Sequence, residues 1–268
     1  MPRFSIIVVC LNPGVELERT IQSIQSQTCA DYEVIIKDGG SSDGSLQCVP
    51  RDDSRVQLIE CKDTGVYDAM NQALARVGGE WVHFLNTGDY LEGPNVLSRL
   101  TELIDQQPKV NFWYGPYRNR YLERSFQQPS DFSEFTAYRQ VICHQTQFIR
   151  CSVFEAAGHF DDSLRIRADH DLYLRALNSG LLVSGQYDFI AISYADDGLS
   201  VSENMKRCAD AEARILHRRH FSLIQRIGYG LLLELSLIRL RRYIVRNLKG
   251  GRLASVYARL ANAYNRSR

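Results

Sequence analysis

The stretch at residues 79–91 (GEWVHFLNTGDYL) constrains the fold more than any other part of the chain. Val82, Phe84 and Leu85 make a short apolar run between polar flanks, as a buried parallel strand requires. The run stops at Asn86-Thr87-Gly88-Asp89, where glycine permits a sharp turn and a carboxylate follows the strand's C-terminal end. Open α/β sheets bind their ligands at that edge. Similar events occur three times upstream. Residues 4–11 (FSIIVVCL) end at Asn12-Pro13-Gly14, residues 32–37 (YEVIIK) close on the DGGSSDG loop at 38–44, and residues 56–61 lead into Asp63-Thr64-Gly65. Leu17, Ile21 and Ile24 recur at helical spacing after the first strand, and a helix is expected over about 67–76 after the third. Strand and helix alternating this densely predict an α/β fold with a mostly parallel central sheet and helices on both faces.

Further along, residues 95–107 read as an amphipathic helix, and the aromatic, alternating stretch 110–126 as a hairpin at the sheet's edge. Residues 142–150 (ICHQTQFIR) read as one strand and 153–158 as a short helix. A second clear helix spans 169–178, with strands at 181–184 and 189–195.

A net charge of +1 hides a division. Residues 1–204 carry 17 Lys and Arg against 28 Asp and Glu, whereas residues 205–268 carry 15 against 3. The expected organisation is a ligand-binding catalytic domain over 1–204 and a basic helical extension over 205–268. An acidic body that binds an anionic ligand needs a cation or backbone donors, and a basic tail suits an anionic surface. Seven cysteines, odd in number and without a C-x-x-C pair, point to reduced thiols in a cytoplasmic protein. The N-terminus enters strand-like sequence directly, with no signal peptide expected, and no apolar run approaches the ~20 residues that cross a bilayer.

Four constellations carry chemistry. Asp38 ends the second strand in a loop whose glycines, Gly40 among them, allow close backbone approach to a ligand; it could accept bonds from a base or ribose, or cap a tight turn. Asp68 and Asn71 lie three apart near a helix N-terminus, where an anion is favoured and where a capping acid is equally at home. In the loop of Thr87, Gly88 and Asp89, one carboxylate suffices for a hard divalent cation that keeps water and phosphate as its other ligands. Asp169-His170-Asp171 opens a helix, as a general base or as a cap. His144-Gln145 reads as a buried hydrogen-bonded pair or, through His144, as a substrate contact.

The ordered set VVCLN, DGGSSDG, DTGVYDAMN, FLNTGD, CHQTQFIR and RADHDLYLR, spanning about residues 4–200, resembles family 2 glycosyltransferases of the GT-A fold. The likeness is strongest to the bacterial branch that builds surface polysaccharides such as colanic acid. The resemblance implies that Asp38 contacts the nucleotide base, that Asn12 lies beside the nucleotide, and that Asp68 lies near the donor's ribose or sugar. It implies that Asp89 is the final acid of the D-x-D metal motif, holding Mg²⁺ or Mn²⁺, and that Asp169 is the catalytic base with Asp171 in support. Three departures stand out: Thr87 replaces the first D-x-D acid, Ala168 replaces the Glu of the E-D motif, and Met70 stands where many relatives carry Arg.

The implied reaction is an inverting single displacement in which an acceptor hydroxyl on a glycan or lipid-linked acceptor attacks C1 of a UDP-, GDP- or dTDP-sugar. The missing motif acids motivate an alternative, a member that binds nucleotide-sugar or a partner without turnover. In the tail, apolar residues from Leu216 to Leu240 alternate with Arg218, Arg219, Arg226, Arg239, Arg241, Arg242 and Arg246. That pattern fits an interfacial helix on the inner face of an anionic bacterial membrane, or a helical hairpin packed on protein. Nucleic acid is not expected, because aromatic stacking groups are sparse there.

Overall fold

The computed structural model describes residues 1–194 and 203–235. The expected arginines and leucines from 236 onward, and the end of the strand expected at 189–195, lie outside the described residues.

The first half alternates as expected: β1 (Phe4–Cys10), α1 (Glu16–Gln25), β2 (Tyr32–Asp38), β3 (Val56–Glu60), α2 (Val66–Leu74), β4 (Trp81–Phe84), β5 (Tyr90–Leu91) and α3 (Val96–Gln106). There follow β6 (Phe112–Tyr114), β7 (Tyr117–Asn119), β8 (Arg124–Phe126), α4 (Glu134–Arg139), β9 (Phe148–Arg150), α5 (Cys151–Ala157) and α6 (Ala168–Asn178). The last described elements are β10 (Ser184–Gln186), β11 (Ile192–Tyr194), α7 (Glu203–His220) and α8 (Leu223–Leu235).

Seven strands form the central sheet in the order β10-β6-β9-β4-β1-β2-β3. Every neighbouring pair is parallel except those made by β9, which runs antiparallel to both β4 and β6. Alternation along β1 explains the two layers. Phe4, Ile6 and Val8 join the core with Leu17 and Ile21 of α1 and Leu97 and Leu100 of α3. On the other face Phe84 of β4 meets Phe154 of α5 and Phe160 edge-on, and Phe160 meets Tyr67 of α2. A sheet covered on both faces reads as near-continuous apolar strands, as in β1 and in Val34–Ile36 of β2.

Two expectations need correction. Residues 110–126 do not make one hairpin at the sheet's edge. Phe112, Trp113 and Tyr114 are buried, and β6 lies inside the central sheet between β10 and β9. The hairpin is β7–β8, in a separate four-stranded sheet ordered β5-β11-β7-β8. Gly115 and Pro116 mark the switch; a Cβ at Gly115 would collide with the ring of Tyr187. Residues 142–150 are not one strand either. His144–Thr146 form a 3₁₀ turn, closed by the Thr146 hydroxyl donating to the Cys143 carbonyl at 2.7 Å, and only Phe148–Arg150 is extended.

Packing divides the chain differently from charge. One compact unit comprises Met1–Pro129 with Val141–Leu216, the other Ser130–Gln140 with His217–Arg268. The first unit therefore keeps much of α7, beyond the 204/205 charge boundary, because Leu216 and Glu212 are buried there. Within the second, Tyr138 of α4 stacks on His217 at 4.1 Å, and Glu134 accepts bonds from Gln225 at 2.7 Å and Tyr229 at 3.0 Å.

Candidate active site

Parallel strands deliver their C-terminal loops to one edge, and the candidate residues gather there. Asn12 adopts a left-handed backbone (φ +48°), accepts the Ser42 N–H at 2.9 Å, and donates its own N–H to the Ser41 hydroxyl at 2.7 Å. Asp38 is 1% exposed. It accepts the N–H groups of Gly40 and Ser41 at 2.8 Å each, the Ser41 hydroxyl at 2.5 Å and the Cys10 thiol at 3.7 Å. Burial pushes Asp38 upward, but the bonds from Ser41 and Gly40 outweigh it and hold the group below the ordinary carboxylate value. Those four partners match the capacity of a carboxylate. Asp38 therefore shapes its loop from inside, with Gly40 exposed on the outside at φ +110°.

The loop after β4 is held just as firmly. The Thr87 hydroxyl donates to Val9 at 2.9 Å, fastening the loop to β1. The Gly88 N–H donates to the buried Thr20 hydroxyl, which in turn donates to the Asp89 carbonyl, both at 2.9 Å. Gly88 stands at φ +91°, where a side chain is strained. Arg120 donates to the Gly88 carbonyl and lies 4.9 Å over the Tyr90 ring. Asp89 is 3% exposed and accepts the Gln145 side-chain amide at 3.1 Å.

The 3₁₀ turn joins this loop to α6. Gln145 reaches Asp89, while its neighbour His144 lies 3.4 Å from Asn86 through Nε2 and 4.0 Å from Asp169 through Nδ1. Asp169 also lies 3.2 Å from the Tyr67 hydroxyl, which is 2.8 Å from the Ile166 carbonyl. Burial raises Asp169 above the ordinary carboxylate value, and His144 only partly opposes this. Burial likewise holds His144 below 6.5, against the pull of Asp169. A carboxyl group raised in this way, beside a partly exposed histidine, suits proton transfer.

The remaining candidates are structural in their contacts. Asp68 accepts the Thr64 N–H and hydroxyl at 2.8 and 3.0 Å, which holds it low and closes the start of α2. Asn71 clamps Phe160, donating to its carbonyl at 2.9 Å and accepting its N–H at 3.0 Å. Asp171 faces Arg175 at 2.8 Å, and Arg175 donates onward to the carbonyls of Ala157 and His159. Three residues outside the sequence reading matter here. Tyr67 touches Asp169; Glu212, 6% exposed on α7, accepts the N–H groups of Arg165, Ile166 and Arg167; and Lys37, fully buried, donates to Asp63 at 2.8 Å. One of three acids in a basic segment, and a lysine inside a mostly apolar strand, were the traces of the last two.

No group of three or more His, Cys, Asp and Glu converges on a metal position among the described residues. Asp89 alone, buried and oriented by Gln145, fits a hard divalent cation whose shell is completed by water and diphosphate oxygen.

The mostly parallel α/β sheet, with these loops at its C-terminal edge, is a GT-A-like fold, as the comparisons show. The model of glycosyl transferase family 2 matches residues 5–160. A PGL/p-HBAD biosynthesis glycosyltransferase of Mycobacterium tuberculosis is 31% identical over 201 residues, covering 74% of this chain and 78% of that one. Chondroitin synthase of Escherichia coli is 25% identical over 189 residues, covering 67% of this chain and 27% of that one. S. aureus TarS 1–349, in complex with UDP-GlcNAc, aligns with a TM-score of 0.64 at 16% identity, covering 95% of this chain and 78% of that one. A mannosyltransferase of Pyrobaculum calidifontis, in complex with GDP-Man and Mn²⁺, aligns at 0.63 and 17% identity, covering 98% and 80%. The chain belongs to glycosyltransferase family 2.

Proposed function

We propose that this chain transfers a sugar from a nucleotide-diphosphate sugar to an acceptor hydroxyl with inversion, Asp169 acting as general base. One observation carries the reading: adjacent residues of a single turn, His144 and Gln145, contact Asp169 and Asp89 respectively. The acid that would remove a proton and the acid that would face the diphosphate are thereby tied to one rigid element. Structures of similar fold that bind UDP-GlcNAc or GDP-Man support a nucleotide-sugar donor. Asn12, Asp38 and Gly40 form the nucleotide side, Asp38 by fixing its loop. Asp89 holds Mg²⁺ or Mn²⁺, which when bound offsets the negative charge of the diphosphate. Asp169 accepts the acceptor's proton as the hydroxyl attacks. Because its carboxyl is raised, turnover is lost as pH falls through a value above the ordinary carboxylate range. No covalent nucleophile is needed. The acceptor in this reading is a glycan or a lipid-linked glycan, and the likeness to a chondroitin synthase supports a glycan.

For the basic extension we take an anionic membrane surface as the partner. On α8, Leu223, Ile224, Ile227 and Leu231 share one helical face and are 63%, 83%, 56% and 59% exposed. No described helix is long and apolar enough to cross a membrane, and the attachment proposed for this face is interfacial.

The test is a thermal-shift panel of UDP, GDP and dTDP with their sugar conjugates, with and without Mn²⁺. A ligand at 100 times its Kd stabilises by about 2.7 kcal/mol. One nucleotide is expected to shift the melting temperature more with metal, and Asp89→Ala to remove the metal-dependent part. Asp169→Asn is expected to keep the shift and lower transfer by about 10²–10⁴-fold. A shift without donor turnover in the unaltered protein would establish the non-catalytic alternative. No shift with any nucleotide would overturn both readings.

A further inference from the structure

We propose that Glu212 of α7 is a positioning residue that sets the catalytic poise of Asp169 through one peptide plane. The inference rests on Asp169 being the general base. Helix α6 begins at Ala168, and Arg167 before it has no side-chain cap. The cap comes instead from 45 residues away. Glu212 accepts the Arg165 N–H on Oε1 at 2.7 Å and the Ile166 and Arg167 N–H groups on Oε2 at 3.0 and 2.9 Å. Arg167 returns the hold, its Nε donating to the Ala209 carbonyl at 2.6 Å, and the Cys208 thiol sits 3.4 Å from Oε1. Successive N–H groups converging on one buried carboxylate fix the loop as an anion fixes a nest.

The peptide between Ile166 and Arg167 faces two partners. Its N–H points to Glu212, and its carbonyl accepts from the Tyr67 hydroxyl at 2.8 Å. Tyr67 has one proton and a second acceptor in reach, Asp169 Oδ1 at 3.2 Å. A carboxylate bonded to the N–H polarises the carbonyl and makes it the stronger acceptor. Glu212 thus draws the Tyr67 proton toward Ile166 and leaves Asp169 free to take a proton from the acceptor. The other titratable or charged groups facing Asp169 are His144, Cys143, Arg167 and Tyr173. That peptide's N–H, which belongs to Arg167, donates to Glu212.

The experiment compares Glu212→Gln, Glu212→Asp and Asp169→Asn in the full chain, measuring kcat and donor KM across pH alongside melting temperature. Glutamine keeps one acceptor oxygen and must turn its NH₂ toward at least one of the three N–H donors. Its kcat is expected to fall at least tenfold with donor KM and the nucleotide thermal shift unchanged, and the acid limb of its pH profile to move to lower pH. Aspartate, keeping the charge, is expected to restore part of kcat. In a Tyr67→Phe background the pH displacement caused by Glu212→Gln is expected to vanish. Unchanged kcat in Glu212→Gln beside an inactive Asp169→Asn overturns the positioning role and leaves the base reading standing. Full activity in Asp169→Asn overturns the base reading, and this role with it. Parallel loss of kcat, donor binding and melting temperature, without a displaced limb, assigns Glu212 to stability alone and also overturns the proposal. If the Gln variant does not fold, Glu212→Asp decides, an unchanged pH profile and kcat being the contrary result.

Discussion

His83 sits in the middle of β4 with its ring sealed from solvent and stacked on Phe148 at 4.1 Å. Its Nδ1 lies 3.0 Å from the Gln147 carbonyl, so that nitrogen carries the proton and donates, while Nε2 has no partner. Burial lowers its pKa from 6.5 to about 4. The unfolded chain therefore takes up a proton near pH 6.5 that the folded chain refuses until about pH 4. Stability attributable to this residue is present above 6.5 and is lost as pH falls through that window, by up to about 3 kcal/mol at 1.36 kcal/mol per pH unit. Melting curves from pH 7 to pH 4 are expected to show the decline, and His83→Leu to flatten it. Asp169 and Asp171 make the same point about environment. Two residues apart on α6, one is left beside a histidine and a tyrosine, the other tied to Arg175.

Elements at the sheet's ligand edge are joined by single buried side chains. Lys37, on β2, donates to the Asp38 carbonyl at 3.0 Å, the Cys61 carbonyl at 2.6 Å and the Asp63 carboxylate at 2.8 Å, tying the end of β2 to the loop after β3. Removing one member of a buried pair leaves an uncompensated charge, whereas removing both often costs little. Asp63→Ala is expected to lower unfolding free energy by about 3 kcal/mol, the smaller end of the range because Asp63 keeps some exposure. The double change Lys37→Met with Asp63→Leu is expected to recover most of that loss. Urea titration with an unchanged m-value would measure both; a double variant as weak as the single one contradicts this account of the pair.

For the molecule as a whole, the division of charge between an acidic body and a basic C-terminal segment invites two kinds of surface. Each cation near an anionic membrane contributes about 1 kcal/mol, and the effect fades beyond a Debye length. Sedimentation with phosphatidylglycerol vesicles is expected to carry the full chain down at low salt and release it at high salt. Phosphatidylcholine vesicles are expected to bind little. Replacing Ile224 and Ile227 together with Asp, on the exposed α8 face, is expected to weaken pelleting at least tenfold in vesicle concentration. Equal pelleting of both proteins would assign that face to another partner.

The order of elements in the first half was legible because a strand buried on both faces is mostly apolar and ends in turn chemistry, as β1, β2 and β4 do despite Lys37 and His83. The positions of the loops at their ends, which carry Asn12, Asp38, Thr87, Gly88 and Asp89, followed from that periodicity, whereas a role for Asn12 was implied only by the family resemblance. Residues 110–126 misled because their alternation is shared between two sheets. The turn at His144 is closed by local bonds, but it was hidden in an apolar context, and the partners of its side chains, Asn86, Asp89 and Asp169, lie far away in sequence. Asp68, Asn71 and Asp171 carried the right chemistry for a site, and their bonds to Thr64, Phe160 and Arg175 could not be read from that chemistry. By itself the sequence determined strands, helices and the edge where ligands meet them, since these depend on local spacing. Which partners each acid meets, and that a glutamate 43 residues beyond Asp169 holds the loop before it, depend on long-range contacts that only the tertiary structure decides.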